Sequence, residues 1–202
     1  LYDLDLQIAD QEFVCILGPS GSGKSTLLNV IAGLETDYAG TVTLSANRIG
    51  YLFQEPRLLP WLTSERNVDF ALDSCALPRE RRAGLKDHYF ALAGLSEFRN
   101  YYPHQLSGGM RQRVALVRAL CVEPGILLMD EPFGALDELT ARRLRVDLLR
   151  IWRETRKTIV FVTHNAYEAS YLADRVLVMA QGRIRDEIVV DVPRPRDYDD
   201  PA

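Results

Sequence analysis

The sequence has few of the residues that build disulfide or metal frameworks. Three cysteines, Cys15, Cys75 and Cys121, and three histidines are spread over 202 residues. The odd count and wide spacing leave no CxxC and no Cys/His pairing. A stapled scaffold or structural zinc is not expected, and a reducing, cytoplasmic setting is. Basic charge is not in excess either: 24 Lys+Arg against 28 Asp+Glu give a formal net charge of −4. That balance argues against broad binding to nucleic acid, though not against a local anion site. No apolar run approaches the roughly 18 residues of a transmembrane helix, and no signal peptide is legible. A chain of this kind would serve a membrane only from the cytoplasmic side, through a partner. The first residue is Leu1 rather than Met, so the true N-terminus is expected upstream.

What is present is ordinary for one globular core with a smaller lobe: 47% hydrophobic and 26% charged residues. Short apolar runs at 13–17, 49–53, 126–129 and 158–163 lie between turn signals and helical stretches, the pattern of βαβ units in a mostly parallel sheet. Residues 25–34 and 138–156 read as helices. The second is long and amphipathic, with Leu144, Leu148, Ile151 and Trp152 on one face and arginines on the other. The arginines of 79–82 and 142–145 read as solvated helix faces. Between 54 and 111 the strand signal fades. Helices are expected there at 64–73, 79–94 and 107–122, separated by Pro56, Pro60, Pro78 and Pro103. Strands at 175–180 and 184–190 flank Gln181, Gly182 and Arg183, a hairpin by its turn chemistry. The charged, Pro-rich tail 193–202 reads as extended. The fold class expected is α/β, with an antiparallel β portion and an inserted helical subdomain.

Gly18, Pro19, Ser20, Gly21, Ser22, Gly23, Lys24 and Ser25, followed by Thr26, match G-x-x-x-x-G-K-[ST] between an expected strand and an expected helix, the context this motif requires. The glycines let backbone N–H groups turn around phosphate oxygens, and the helix adds its positive end. Lys24 can reach the β- and γ-phosphates, and the Ser25 hydroxyl can ligate Mg²⁺. The motif fixes a nucleotide substrate but is shared by kinases, GTPases, helicases and motors.

Further segments narrow the choice. Leu106, Ser107, Gly108, Gly109 and Met110 precede the run 125–129, an apolar strand that ends in Asp130 and Glu131. Gly134 to Asp137 follow, then Thr163 and His164, while Gln54 closes the strand at 49–53. Taken alone, Ser-Gly-Gly before a helix reads equally as an N-cap and a turn, and a carboxylate after a buried strand is often a helix N-cap. In this order and spacing the segments resemble the signature, Walker B, D-loop, switch-histidine and Q-loop motifs of ABC (ATP-binding cassette) ATPases, with Met110 where many members carry Gln. The resemblance covers nearly the whole chain. It implies one P-loop NTPase domain over 1–202, with an α/β core lobe of 1–53 and 113–202 and a helical subdomain of 54–112.

The resemblance also implies roles. Lys24 and the loop amides would hold the phosphates of ATP; Ser25, Gln54 and Asp130 would be the Mg²⁺ ligands, Asp130 through water. Glu131 would be the general base and His164 would contact the γ-phosphate. Ser107, Gly108 and Gly109 would cap the γ-phosphate of a nucleotide held by a second subunit, in a head-to-tail homodimer or beside a paired ABC subunit. Transmembrane permease subunits, a periplasmic or extracellular solute-binding protein and a peripheral place on the cytoplasmic face of the membrane follow from the family, and no nucleic acid. His88 and His104 receive no role.

Residues 51–61, with Pro56 and Trp61, and residues 192–197 resemble the nitrate/sulfonate/taurine branch of ABC importers. That likeness places a transmembrane partner's docking groove at 54–61; alternatively Leu58, Leu59 and Trp61 pack the helical lobe. Two departures stand out. The family's adenine-stacking aromatic belongs upstream of Leu1, and Tyr2 is not its equivalent. Gln11 stands where the family has a turn glycine, which would strain a turn needing positive φ. A DNA-repair ABC ATPase would need a long coiled coil between Gln54 and Ser107, and no sustained heptads lie there. A degenerate nucleotide sensor is disfavoured by intact Glu131 and His164.

Overall fold

The structure is a computed structural model and describes residues 1–194 and Arg196. In chain order its elements are β1 (Phe13–Leu17), α1 (Lys24–Ile31), β2 (Ile49–Leu52), α2 (Ser64–Leu72), α3 (Arg79–Leu92), α4 (Gly108–Cys121), β3 (Ile126–Asp130), α5 (Glu138–Thr155), β4 (Thr158–Thr163), α6 (Ala166–Leu172), β5 (Arg175–Ala180) and β6 (Arg183–Val189). The expected strands and helices are found, those at 13–17, 158–163 and 175–180 at the expected ends and the others within three residues. Helix α6 was not anticipated, and most of the tail lies outside the described residues. The chain divides into two compact units, 1–43 with 158–202, and 44–157.

In the first unit β1 lies between β4 and β5 and runs parallel to both, with Val14 opposite Val160 on one side and Arg175 on the other. Every residue of β4 is buried, as are the first four of β1. Covered on both faces, such strands read as continuous apolar runs rather than alternating ones. β5 turns back into β6, antiparallel, through Gln181 at φ 50° and Gly182 at φ 73°. Two successive positive φ values make the tight turn whose twist suits a hairpin. Gln11 does adopt φ 63°, and its N–H donates to the Thr158 hydroxyl at 2.9 Å. The turn thus keeps the left-handed conformation that glycine tolerates best, stabilised by a long-range hydrogen bond.

In the second unit β2 and β3 pair in parallel, Gly50 opposite Leu127. Helix α4 crosses β2 so closely that a Cβ on Gly50 would stand 2.8 Å from the Ala119 carbonyl oxygen. No other residue leaves room for that helix. Helices α2 and α3 pack on α4, whose own length is largely buried. On α5, Leu144, Leu148, Ile151 and Trp152 are buried as their spacing requires. Arg145 is a correction to the solvated arginine face: it is 1% exposed, and its guanidinium reaches outward to pair with Glu138, whose side chain is 72% exposed. All three thiols are free and buried.

Candidate functional site

In the first unit the phosphate loop leaves the end of β1 and enters α1. Gly21 and Gly23 take φ 78° and 100°, the left-handed region in which a side chain is strained. At Gly18 the need is steric: a Cβ would lie 2.2 Å from the Met179 carbonyl oxygen. Lys24 is 5% exposed, and its ammonium donates to the Gly18 and Pro19 carbonyls at 2.8 and 2.9 Å. It ties the two ends of the loop and stands where its charge can serve an anion. The N-terminal amides of α1 follow at once, adding the positive end of a helix. Ser25 and Thr26 are exposed at that end, while Ser22 is buried and donates its N–H-side contacts to the loop: its N–H reaches the Pro19 carbonyl at 3.2 Å.

His164 sits one residue beyond β4 and is exposed. Its predecessor Thr163 binds the loop directly, for the Gly18 N–H donates to the Thr163 carbonyl at 3.3 Å. The loop and the histidine segment are therefore neighbours within one unit. Sequence reasoning missed the residues that hold this segment, Asn165 and Glu168. The signal was present: Asn165 followed at N3 by Glu168 is a helix-start pattern, and Asn165 accepts from the N–H groups of Tyr167 and Glu168.

The second unit carries Gln54, Ser107, Gly108, Gly109, Asp130 and Glu131. Asp130 ends β3, and Glu131 follows at φ 41°, a left-handed conformation uncommon for a residue with a side chain and frequent where function fixes the backbone. Neither acid caps a helix. Asp137 caps α5, accepting from the Thr140 N–H at 3.0 Å, and hydrogen bonding to Thr140 holds its carboxyl below the usual range. Burial, then the nearby Asp130 carboxylate, push the Tyr51 phenol up to about 12, against the pull of Arg57. A Cβ placed on Gly134 would contact both Gln54 Nε2 and Glu131 Oε2, so the amide and the carboxylate border the same side of one glycine.

Ser107 caps α4, its hydroxyl accepting from the Met110 N–H at 3.2 Å, and remains exposed. Gly109 is buried against α5, where a Cβ would fall 2.6 Å from Thr140 Cγ2. The segment after Gln54 is held by α4: the Arg118 guanidinium donates to the Pro56 and Arg57 carbonyls, both at 2.8 Å, and Gln112 donates to the Phe53 carbonyl at 3.3 Å. Further on, Asn67 is fully buried. It receives the Leu59 N–H and donates to the carbonyls of Leu59, Leu62 and Thr63. Trp61, on the loop so fastened, is 68% exposed. Sequence reading had no means to find Asn67 or Arg118, whose partners are main-chain atoms of a loop.

The hydroxyl of Ser25, the amide oxygen of Gln54 and the carboxylate of Asp130 are all hard oxygen donors. Each, Ser25 in the first unit and Gln54 and Asp130 in the second, is a donor type that suits Mg²⁺ rather than a soft metal. Among the described residues no helix is long and apolar enough to cross a membrane.

The family model for ABC transporters matches residues 1–134. The chain is 47% identical over 211 residues to an aliphatic sulfonates import ATP-binding protein of Burkholderia cenocepacia, covering all of this chain and 77% of that one. It is 43% identical over 206 residues to an uncharacterized ABC transporter ATP-binding protein of Methanocaldococcus jannaschii, covering 98% and 77%. Among solved structures, the dimeric form of a bacterial ABC transporter cassette superposes with a TM-score of 0.79 at 36% identity, over 92% of this chain and 88% of that one. A post-hydrolysis dimer of the same cassette, bound to ADP and Pi, gives 0.75 at 36% identity over the same shares.

Proposed function

The chain belongs to the ABC transporter family as an ATP-binding, ATP-hydrolysing subunit, and from that premise we propose that it energises uptake of a small oxyanion of the sulfonate, nitrate or taurine kind. Transmembrane permease subunits would form the path, a solute-binding protein would deliver the solute, and this chain would work peripherally on the cytoplasmic face. Supporting the solute class is the likeness to a relative named for aliphatic sulfonate import. The observation that carries the coupling to a partner is Trp61, a large side chain left 68% exposed on a loop pinned by fully buried Asn67. A rigidly based aromatic in solvent is the anchor type that dominates protein interfaces. Residues 54–112 would be the lobe that presents it.

For the ATPase step, Lys24 and the loop amides hold the phosphates, and the Glu131 carboxylate accepts the proton of the attacking water. His164 contacts the γ-phosphate, while Ser107 and Gly109 supply a helix N-terminus to nucleotide on a second copy in a head-to-tail dimer. Solved cassettes similar to this chain are dimeric, which supports that assembly. Ser25, Gln54 and Asp130 would hold Mg²⁺, whose contribution when bound is to neutralise charge on the phosphate oxygens. The test is reconstitution in proteoliposomes with a candidate permease. ATP turnover should rise when an alkanesulfonate and its binding protein are supplied, and should fall back with Trp61→Ala. Turnover indifferent to every permease and oxyanion would remove the importer reading.

A further inference from the structure

Glu168 is a buried carboxylate, 7% exposed, that the ATPase roles leave unused. It lies on α6, which packs against β1, and its carboxylate accepts a hydrogen bond from the Thr163 hydroxyl at 2.6 Å. Thr163 is itself 2% exposed, and its hydroxyl oxygen also accepts the Asn165 N–H at 3.0 Å. The same residue's carbonyl receives the Gly18 N–H of the phosphate loop at 3.3 Å. Asn165 in turn accepts from the Glu168 N–H at 3.4 Å. His164 thus stands between Thr163, whose hydroxyl donates to the Glu168 carboxylate, and Asn165, which accepts the Glu168 N–H. Burial, with the Glu168 charge adding to it, pushes the neighbouring Cys15 thiol well up, so the carboxylate acts on the interior next to the loop.

A buried carboxylate is costly unless hydrogen bonding compensates it. An apolar residue would fill this place between α6 and β1 at no such cost, so packing alone does not account for an acid. What the acid does supply is a fixed orientation. By accepting the hydrogen bond of the Thr163 hydroxyl it fixes that hydroxyl's orientation and leaves its oxygen to accept the Asn165 N–H, and this sets the turn on which His164 is carried. From this arrangement we propose that Glu168 is a positioning residue for His164, holding the histidine segment in register with the phosphate loop through Thr163. The inference rests on the reading that His164 contacts the γ-phosphate. Glu168 touches neither nucleotide nor water in this role.

The test is a double-mutant cycle in the full chain, with ATP affinity measured by fluorescent-nucleotide titration and turnover by phosphate release. Glu168→Leu should lower kcat by about 10-fold, or about 1.4 kcal/mol, as coupled neighbours do, with ATP affinity within about two-fold of the parent, since Lys24 and the loop residues themselves are unchanged. Glu168→Gln, which keeps an acceptor for the Thr163 hydroxyl, should recover most of the loss. In a His164→Ala background, Glu168→Leu should cost nothing more. The His164 ring resonance, one of three in the chain, should shift in Glu168→Leu alone. If Glu168→Leu fails to fold, Thr163→Val severs the same link from the other side and must show the same pattern. Equal losses in both backgrounds, or no loss in the parent, would overturn the proposal. Normal turnover by His164→Ala would remove the His164 assignment itself, and the positioning role with it.

Discussion

Gln54 and Glu131 border the same side of Gly134: a Cβ on that glycine would stand 3.5 Å from the Gln54 Nε2 and 3.7 Å from the Glu131 Oε2. The Gly134 N–H donates to the Glu131 carbonyl at 3.1 Å, closing the turn that holds Glu131 at φ 41°. A carboxylate so constrained is presented by its backbone rather than by a flexible stem. Exchanging it for an amide should leave the turn intact. We expect Glu131→Gln to bind ATP as the parent does and to lose about 10²–10⁴-fold in turnover, the usual worth of a general base. The variant should also accumulate as an ATP-bound dimer on size exclusion. Near-parental phosphate release would remove Glu131 as the base.

Lys24 offers a contrasting expectation, because its ammonium serves the loop as well as the ligand. It bonds the Gly18 and Pro19 carbonyls while buried, so truncation removes both a charge and a cross-tie. Hydrogen bonds to charged groups contribute roughly 1.5–3 kcal/mol, or about 10- to 150-fold in affinity. Lys24→Ala should therefore weaken ATP binding by at least about ten-fold, measurable by equilibrium titration. Unchanged affinity with lower turnover would show that the lysine acts in the transition state alone.

Ser107 separates folding from assembly. Its hydroxyl caps α4 through the Met110 N–H, and loss of such a cap costs about 1 kcal/mol. Ser107→Ala should lower the melting temperature slightly. Ser107→Arg should do the same to the monomer, still permit ATP binding, and block dimer closure and hydrolysis, because the helix N-terminus would be covered by a bulky cation. Parental hydrolysis by Ser107→Arg would show that this helix end does not act on a partner's nucleotide.

How far the sequence reads through to these sites depends on what kind of contact defines them. The β-strands were legible because burial on both faces makes them continuous apolar runs, as in β4, and the phosphate loop because its glycines answer to backbone geometry at Gly18, Gly21 and Gly23. The Gln181 and Gly182 turn was legible for the same reason. Helix α6 was not, because seven residues give too little periodicity to stand out. Arg145 was misread because the pattern of arginines along α5 says nothing of which one turns inward and pairs with Glu138 at the surface. Arg118 binds main-chain atoms of a segment distant in sequence, while Glu168 and Asn67 bind a single hydroxyl or main-chain atoms of a nearby loop, and such partners leave no spacing rule behind.

Asn67 and Trp61 give the last expectation, since one holds the loop and the other projects from it. Asn67 is fully buried and satisfies one N–H and three carbonyls between Leu59 and Thr63. Truncating it strands those groups, and leaving buried polar atoms unpaired costs about 1–3 kcal/mol. Trp61 loses little on truncation, for at 68% exposure it contributes little packing, and surface changes usually stay within about 0.5 kcal/mol. Asn67→Ala should therefore lower the denaturation midpoint clearly, while Trp61→Ala should leave it almost unmoved. Basal ATP turnover should follow stability and survive in Trp61→Ala. Partner-dependent turnover should fail in both, in Trp61→Ala because the anchor is gone and in Asn67→Ala because its base is loose. Chemical denaturation run beside the reconstituted assay separates the two. A Trp61→Ala variant as destabilised as Asn67→Ala would return the indole to a packing role and leave the loop without an anchor.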